Sequence, residues 1–223
     1  MFDMLNVEQY VKNIMIDVKA HDVKHTLRVR DWALKIAKSE NYKDLQMVEV
    51  AALLHDIGHV GAKVKKNKIR HDHGEVGAVM AEKFLTENKM FSVEKVGEIC
   101  KAIRFHNKNR EGSSELLDII RDADMMDLFG FIGVMRAIIF VSEKEDYDRE
   151  NIKSSTWGYR AEDFDKLFDS GVGKGRYIVD NINFHISCYD NLKTNFAKMR
   201  ARPLVLGMKK YLLNLEEEIK NIN

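Results

Sequence analysis

Four ionisable side chains in this sequence fall where helical periodicity calls for apolar ones: His25, His55, Asp56 and Asp124. Two imidazoles and two carboxylates make a mixed nitrogen and oxygen donor set. Such a set suits a divalent cation such as Mn, Fe, Co, Ni or Zn, with Mg possible. These groups are costly inside a protein unless they are paired or coordinated. A lone histidine on an apolar face is more often a satisfied core residue than a ligand. Four such groups from three helices, two of them adjacent as His55-Asp56, favour a metal instead.

The helices that must position them are legible from their apolar stripes. His25 stands four residues before Val29, in line with Val29, Trp32, Ala33, Ile36 and Ala37. His55 continues the stripe of Met47, Val48, Ala51 and Leu54, which the breaker Gly58 ends. Asp124 lies four residues after Ile120 and seven after Leu117, whereas Asp122 falls roughly opposite on the helical wheel. Val76, Met80 and Phe84 mark a helix just after His71 and His73, and His106 ends the stripe of Val96, Ile99, Cys100 and Ile103. Ser113 and Ser114 are candidate N-caps for the helix that carries Asp124.

An apolar helix follows from about Leu128 to Val141, then a polar surface excursion over 142–160. Two more helices are expected around Tyr177–Ile186 and Tyr189–Ile219, the second bent at Pro203. No strand-like alternation, internal repeat or Gly/Ser/Pro-rich linker interrupts this pattern. The expectation is an all-α fold, a single domain over residues 1–223, with its core at about 20–140 and C-terminal helices 160–221 packed on it.

Composition excludes several classes. The chain is 45% hydrophobic and 32% charged, ordinary for a soluble globular protein, and its net charge of +1 provides no global field for nucleic acid or an anionic membrane. Neither stable nucleic-acid binding nor a membrane location is expected. The two cysteines, Cys100 and Cys188, match no disulfide framework or metal spacing. With no signal peptide at Met1–Asn6, a cytoplasmic setting is the expectation. Phe129 to Val141 is too short to span a bilayer and contains Arg136.

Ala51-Ala52-Leu53-Leu54-His55-Asp56-Ile57-Gly58-His59 resembles the signature of the HD superfamily of metal-dependent phosphohydrolases. His25 ahead of Arg28-Val29, and Asp122-Ala123-Asp124 followed by Asp127, are similar to its supporting pieces, so the resemblance spans roughly residues 20 to 140. It implies an all-helical bundle whose metal is held by His25, His55, Asp56 and Asp124. It further implies that His59 contacts phosphate or assists the leaving group.

His73 is the other candidate for that role, and Asp56 is a candidate acceptor for the water's proton. Arg28, Lys63, Lys66 and His106 are candidates for substrate binding. His73 and His106 fit a structural role as readily, or a second metal, which some HD proteins hold. The Lys63–Arg70 run is a solvated loop by default and a phosphate-attracting one otherwise. Asp127 could orient a ligand imidazole, or pair with Arg121 or Arg136.

Three further features are set aside. His21-Asp22 is expected to be an exposed pair near a helix start, with His21 at the site's rim, one turn before His25, as the alternative, and His185 a core or interface residue. Gly171-Val172-Gly173-Lys174-Gly175 lacks the strand and spacing of a phosphate loop.

The expected function is hydrolysis of a nucleotide or related phosphate ester or anhydride through a metal-activated water, with one divalent ion and possibly a second. The resemblance favours a nucleotide as the small phosphorylated partner. Two other readings are kept: a di-iron oxygenase on the same fold, and a non-catalytic nucleotide or metal sensor.

Overall fold

A computed structural model describes residues 4–15, 21–62, 73–108 and 111–222. The order of elements is α1 (Met4–Ile14), α2 (Val23–Ser39), α3 (Leu45–Leu54), α4 (Gly58–Ala62), α5 (His73–Glu87) and α6 (Val93–Phe105). It continues with α7 (Glu115–Met126), α8 (Gly130–Phe140), α9 (Ala161–Asp169), α10 (Ile178–Ser187), a 3-10 turn over Cys188–Asn191 and α11 (Asn195–Ile222). The fold is all-α, as the periodicity predicts. Among the described residues the only β pairing is one isolated bridge between Asp148 and Asn151.

The chain forms two compact units. One comprises Met1–Asp124 with Lys193–Phe196, the other Met125–Leu192 with Ala197–Asn223. In the first, carboxylates and a hydroxyl start the helices as the capping rule requires. Asp22 accepts from the His25 amide at 2.8 Å, Asp44 from Met47 at 3.1 Å and Ser114 from Leu117 at 3.2 Å. Helix α3 buries far more than one stripe. Met47, Val48, Val50, Ala51, Ala52, Leu53 and Leu54 are all covered, which makes it the central helix, packed by α1, α2 and α6.

Gly58 does not simply stop α3; it opens α4, whose backbone lies against α5. A Cβ built on Gly58 would sit 1.9 Å from the His73 carbonyl oxygen, and one on Gly74 would sit 2.6 Å from the Arg104 carbonyl oxygen. Glycine therefore lets α4, α5 and α6 approach closely, and His73 begins α5 at that junction. The buried face of α5 is Gly74, Gly77, Ala78, Ala81, Phe84 and Leu85. It is rotated from the Val76 and Met80 stripe expected from sequence, because close backbone packing favours the small residues.

In the second unit, α10 packs on α8 and α9. Its buried face is polar as well as apolar, with Asp180, Asn181, Asn183 and His185 beside Val179 and Ile182. Asp180 accepts from the Ser154 hydroxyl, from Thr156 Oγ1 at 2.7 Å and from the Tyr177 amide at 2.8 Å. Asn183 donates to the Lys153 carbonyl and to Thr156 Oγ1, each at 2.9 Å. These bonds tie part of the 142–160 segment inward, so it is not the purely superficial excursion expected. Helix α11 starts at Asn195 rather than near Tyr189 and runs through Pro203. Among the described residues no helix is long and apolar enough to cross a membrane.

Candidate metal centre

The site lies within the first unit, around the carboxylate of Asp56, which is buried at the end of α3. His55 is the C-cap of α3, and its Nδ1 donates to the Ala52 carbonyl at 2.7 Å. His106 is the C-cap of α6 and uses the same device, with Nδ1 donating to the Ile103 carbonyl at 2.6 Å. In both rings that bond fixes the tautomer and leaves the Nε2 lone pair available. Each Nε2 lies 3.3 Å from an oxygen of Asp56: His55 faces Oδ2 and His106 faces Oδ1.

The two oxygens of Asp56 divide the surrounding imidazoles between them. Oδ2 is approached by His21 Nδ1 at 2.7 Å, by His25 Nε2 at 3.3 Å and by His55 Nε2 at 3.3 Å. Oδ1 is approached by the Nε2 atoms of His106, His59 and His73 at 3.3, 3.5 and 3.8 Å. Asp124 adds a second carboxylate on the Oδ2 side, its Oδ1 lying 3.4 Å from His25 and 3.9 Å from His55. His73 and His106 also meet each other, Nε2 to Nε2, at 3.3 Å. Asn107 Nδ2 donates to His73 Nδ1 at 3.3 Å, so His73 carries its proton on Nε2 and donates it to His106 Nε2.

This donor set fits a divalent cation on its own chemistry. His55 Nε2 and His59 Nε2 are buried and make no hydrogen bond among the described residues, although an Asp56 oxygen lies within 3.5 Å of each. Lone pairs converging on one carboxylate from outside hydrogen-bond geometry are what co-ligands of a shared ion present. Four sets offer ligand atoms within 4.8 Å of one another: His21, His25 and Asp56; His25, His55 and Asp124; His55, Asp56 and His106; and Asp56, His59 and His73. Electrostatics agree. Burial alone would push the Asp56 carboxyl up, yet the surrounding imidazoles, His55 foremost, hold it well below the usual carboxylate range. Burial alone would pull His55 down, but Asp56, followed by Asp124, raises it to about 9.

Depth separates the groups. His25, His55 and His106 are buried, and the Asp124 side chain is 30% exposed, His59 18% and His73 10%. Of the residues nominated for substrate, His106 sits at this floor. Arg28 is half-buried on α2, three residues beyond His25. Lys63, Lys66, His71 and the rest of that basic run lie outside the described residues.

Three acidic or histidine candidates are used elsewhere. Asp122 accepts from the Lys193 amide at 2.9 Å, the Thr194 amide at 2.7 Å and the Thr194 hydroxyl at 2.6 Å, securing the chain before α11. Asp127 pairs with Arg136 at 2.9 Å. His185 contacts the Gly133 carbonyl at 3.1 Å, and burial holds its imidazole well below the usual range.

For His21 the structure favours the rim position over the exposed pair preferred from sequence. Asp22 behaves as a helix start, but His21 is not an exposed loop residue: it reaches Asp56 and stacks on His59 with ring centroids 4.1 Å apart. The four-residue spacing to His25 was the one available signal.

Comparison with known proteins agrees with this fold. The HD domain family matches residues 22–128. The uncharacterized protein YpgQ of Bacillus subtilis (strain 168) is 29% identical over 142 residues, covering 62% of this chain and 66% of YpgQ, just under two thirds of that protein's length. A crystal structure of YpgQ in complex with ADP superposes with a TM-score of 0.65 at 21% identity, over 96% of this chain and 93% of that one. A predicted HD superfamily hydrolase from an uncultured Thermotogales bacterium superposes with a TM-score of 0.64 at 23% identity, over 96% and 92%. A Lactobacillus plantarum protein reaches 0.71 at 17% identity, over 99% and 100%.

Proposed function

Because the chain carries an HD domain over residues 22–128, we propose that it is a divalent-metal-dependent phosphohydrolase acting on a nucleotide or a related phosphate ester or anhydride. The observation that carries this reading is the buried Asp56 carboxylate, with imidazoles converging on both of its oxygens and Asp124 beside it. His25, His55, Asp56 and Asp124 would hold the ion. A bound divalent ion would supply Lewis-acid polarisation of a phosphoryl oxygen and a lowered pKa for water.

The chain's own groups have distinct tasks in this reading. His59 and His73, stacked with centroids 4.1 Å apart, neutralise or protonate the leaving oxygen from the more open side. Asp56, a candidate from sequence for accepting the water's proton, is held well below the usual carboxylate range by the surrounding imidazoles, which suits a ligand better than a base. Arg28, with Lys63 and Lys66, meets the substrate's phosphates by charge. YpgQ in complex with ADP supports a nucleoside phosphate as the substrate class.

One observation favours a second ion. The Nε2 atoms of His73 and His106 lie 3.8 and 3.3 Å from Asp56 Oδ1, which gathers one carboxylate oxygen and two imidazoles in one place. The same set is what a di-iron oxygenase would require, so the ions present and the reaction must be read together.

The test is phosphate and pyrophosphate release from a nucleotide panel, run with Mn, Mg, Co, Ni, Fe and Zn in turn beside Asp56→Asn. Metal-dependent release from wild type that the variant lacks is the expected result. Saturable nucleotide binding without turnover under any metal would replace the hydrolase with a sensor.

A further inference from the structure

We infer that His21 is a positioning residue of the metal centre, its Nδ1–H holding Oδ2 of Asp56 and so fixing which lone pair that oxygen offers a cation. The inference rests on the reading of Asp56 as a metal ligand. His21 makes the shortest contact to that carboxylate, 2.7 Å, in hydrogen-bond geometry. A carboxylate can only accept, so the proton is on His21 Nδ1. His55 approaches the same oxygen at 3.3 Å without hydrogen-bond geometry, as a co-ligand of Asp56 would. The two rings therefore play different parts: His55 shares an ion with Asp56, and His21 holds Asp56 in place.

The surroundings of His21 are built for that purpose. Asp22 caps α2 through the His25 amide, which fixes the backbone immediately after His21. The ring is stacked on His59 at 4.1 Å with planes 27° apart, and meets the edge of His25 at 5.6 Å and 90°. A ring held by two neighbours can aim Nδ1 at one oxygen without losing much rotamer freedom on doing so. Hydrogen-bond partners that orient metal ligands typically contribute 10–100-fold in metal affinity.

The experiment is Mn2+ binding to the full chain, read as free Mn2+ by electron paramagnetic resonance, for wild type, His21→Ala and His21→Asn. An asparagine amide nitrogen is attached to Cγ, as Nδ1 is in histidine, so Asn keeps the donor and loses the imidazole. His21→Ala is expected to raise the Mn2+ Kd by roughly 10–100-fold. His21→Asn is expected to recover most of that loss, with both variants shown to be folded by circular dichroism. If His21→Ala does not fold, His21→Gln, whose amide is displaced by one methylene, replaces it with the same expected loss.

Unchanged affinity in the donor-less variant would overturn the inference. An Asn variant as weak as Ala would also overturn it, by making the imidazole itself a ligand. Failure of wild type to take up Mn2+ would overturn the reading of Asp56 as well, and is distinguishable because it requires no variant.

Discussion

Asp124 faces His25 and His55, whereas Asp122, two residues earlier, accepts from the Lys193 and Thr194 amides and the Thr194 hydroxyl. Both are carboxylates on one helix, so their substitutions separate metal chemistry from architecture. Asp124→Ala is expected to weaken Mn2+ binding by more than the roughly 100-fold seen at outer-shell partners, with little change in metal-free stability. Asp122→Ala should leave Mn2+ affinity intact and cost about 1–3 kcal/mol, since it removes the buried acceptor of three part-buried donors. Metal titration beside denaturant unfolding of both variants checks this. Equal metal affinities would contradict the assignment. That Asp124 shares a face with the site followed from the 3.6-residue period, but the same period set Asp122 roughly opposite, and Asp122 is in fact fully buried while the Asp124 side chain is 30% exposed. The four-residue spacing to His25 hinted at His21, but its bond to Asp56 was not legible, because that partner is 35 positions away and the contact depends on the turn that Asp22 caps. The same holds for the sharing of Asp56 between two sets of imidazoles: sequence names the histidines but not the oxygen each one faces.

At the scale of elements, the site depends on how closely α4, α5 and α6 approach. Gly58→Ala would drive a Cβ to 1.9 Å from the His73 carbonyl oxygen, backbone against backbone. The expected cost is about 1–3 kcal/mol, as for overpacking elsewhere, together with weakened metal binding as His73 moves away from Asp56. Thermal unfolding and Mn2+ titration of the variant read both effects; wild-type values in each would show that the junction is not tight. Helix α10 carries a separate, pH-dependent term. Burial holds His185 well below its usual range, so the folded state keeps it neutral while the unfolded chain binds a proton below about pH 6.5. Its contribution is therefore complete above that value and is lost as pH falls towards the folded pKa, at up to about 1.4 kcal/mol per pH unit. Urea unfolding at about pH 7.5 and 5.5 should show His185→Gln less sensitive to acid than wild type. Parallel pH dependences would refute this. Helices with long apolar stripes, α2, α3, α6 and α7, were readable from sequence. Helices α1 and α9 were not, since α1 buries only Val7 and Val11, and α9 only Phe164. The short α4 was hidden because it opens on the glycine expected to end helical structure.

For the whole molecule, a net charge of +1 leaves no global field, so charge complementarity has to be local, and it is concentrated around Asp56 and Asp124. The all-α class followed from composition and period together: one proline, recurrent helical stripes and no alternating segments. The inward tie of the 142–160 segment did not, because it depends on Ser154 and Thr156 reaching the buried Asp180 on a later helix. The central claim is that the cluster around Asp56 is a metal centre, and the most direct test is to count bound metal. Wild type and Asp56→Asn would be loaded with Mn2+, passed through a desalting column and analysed by elemental mass spectrometry, with circular dichroism as the check on folding. Wild type should retain at least one ion per chain, and the folded variant none above background. Equal retention by the two proteins, or none in either, would contradict it.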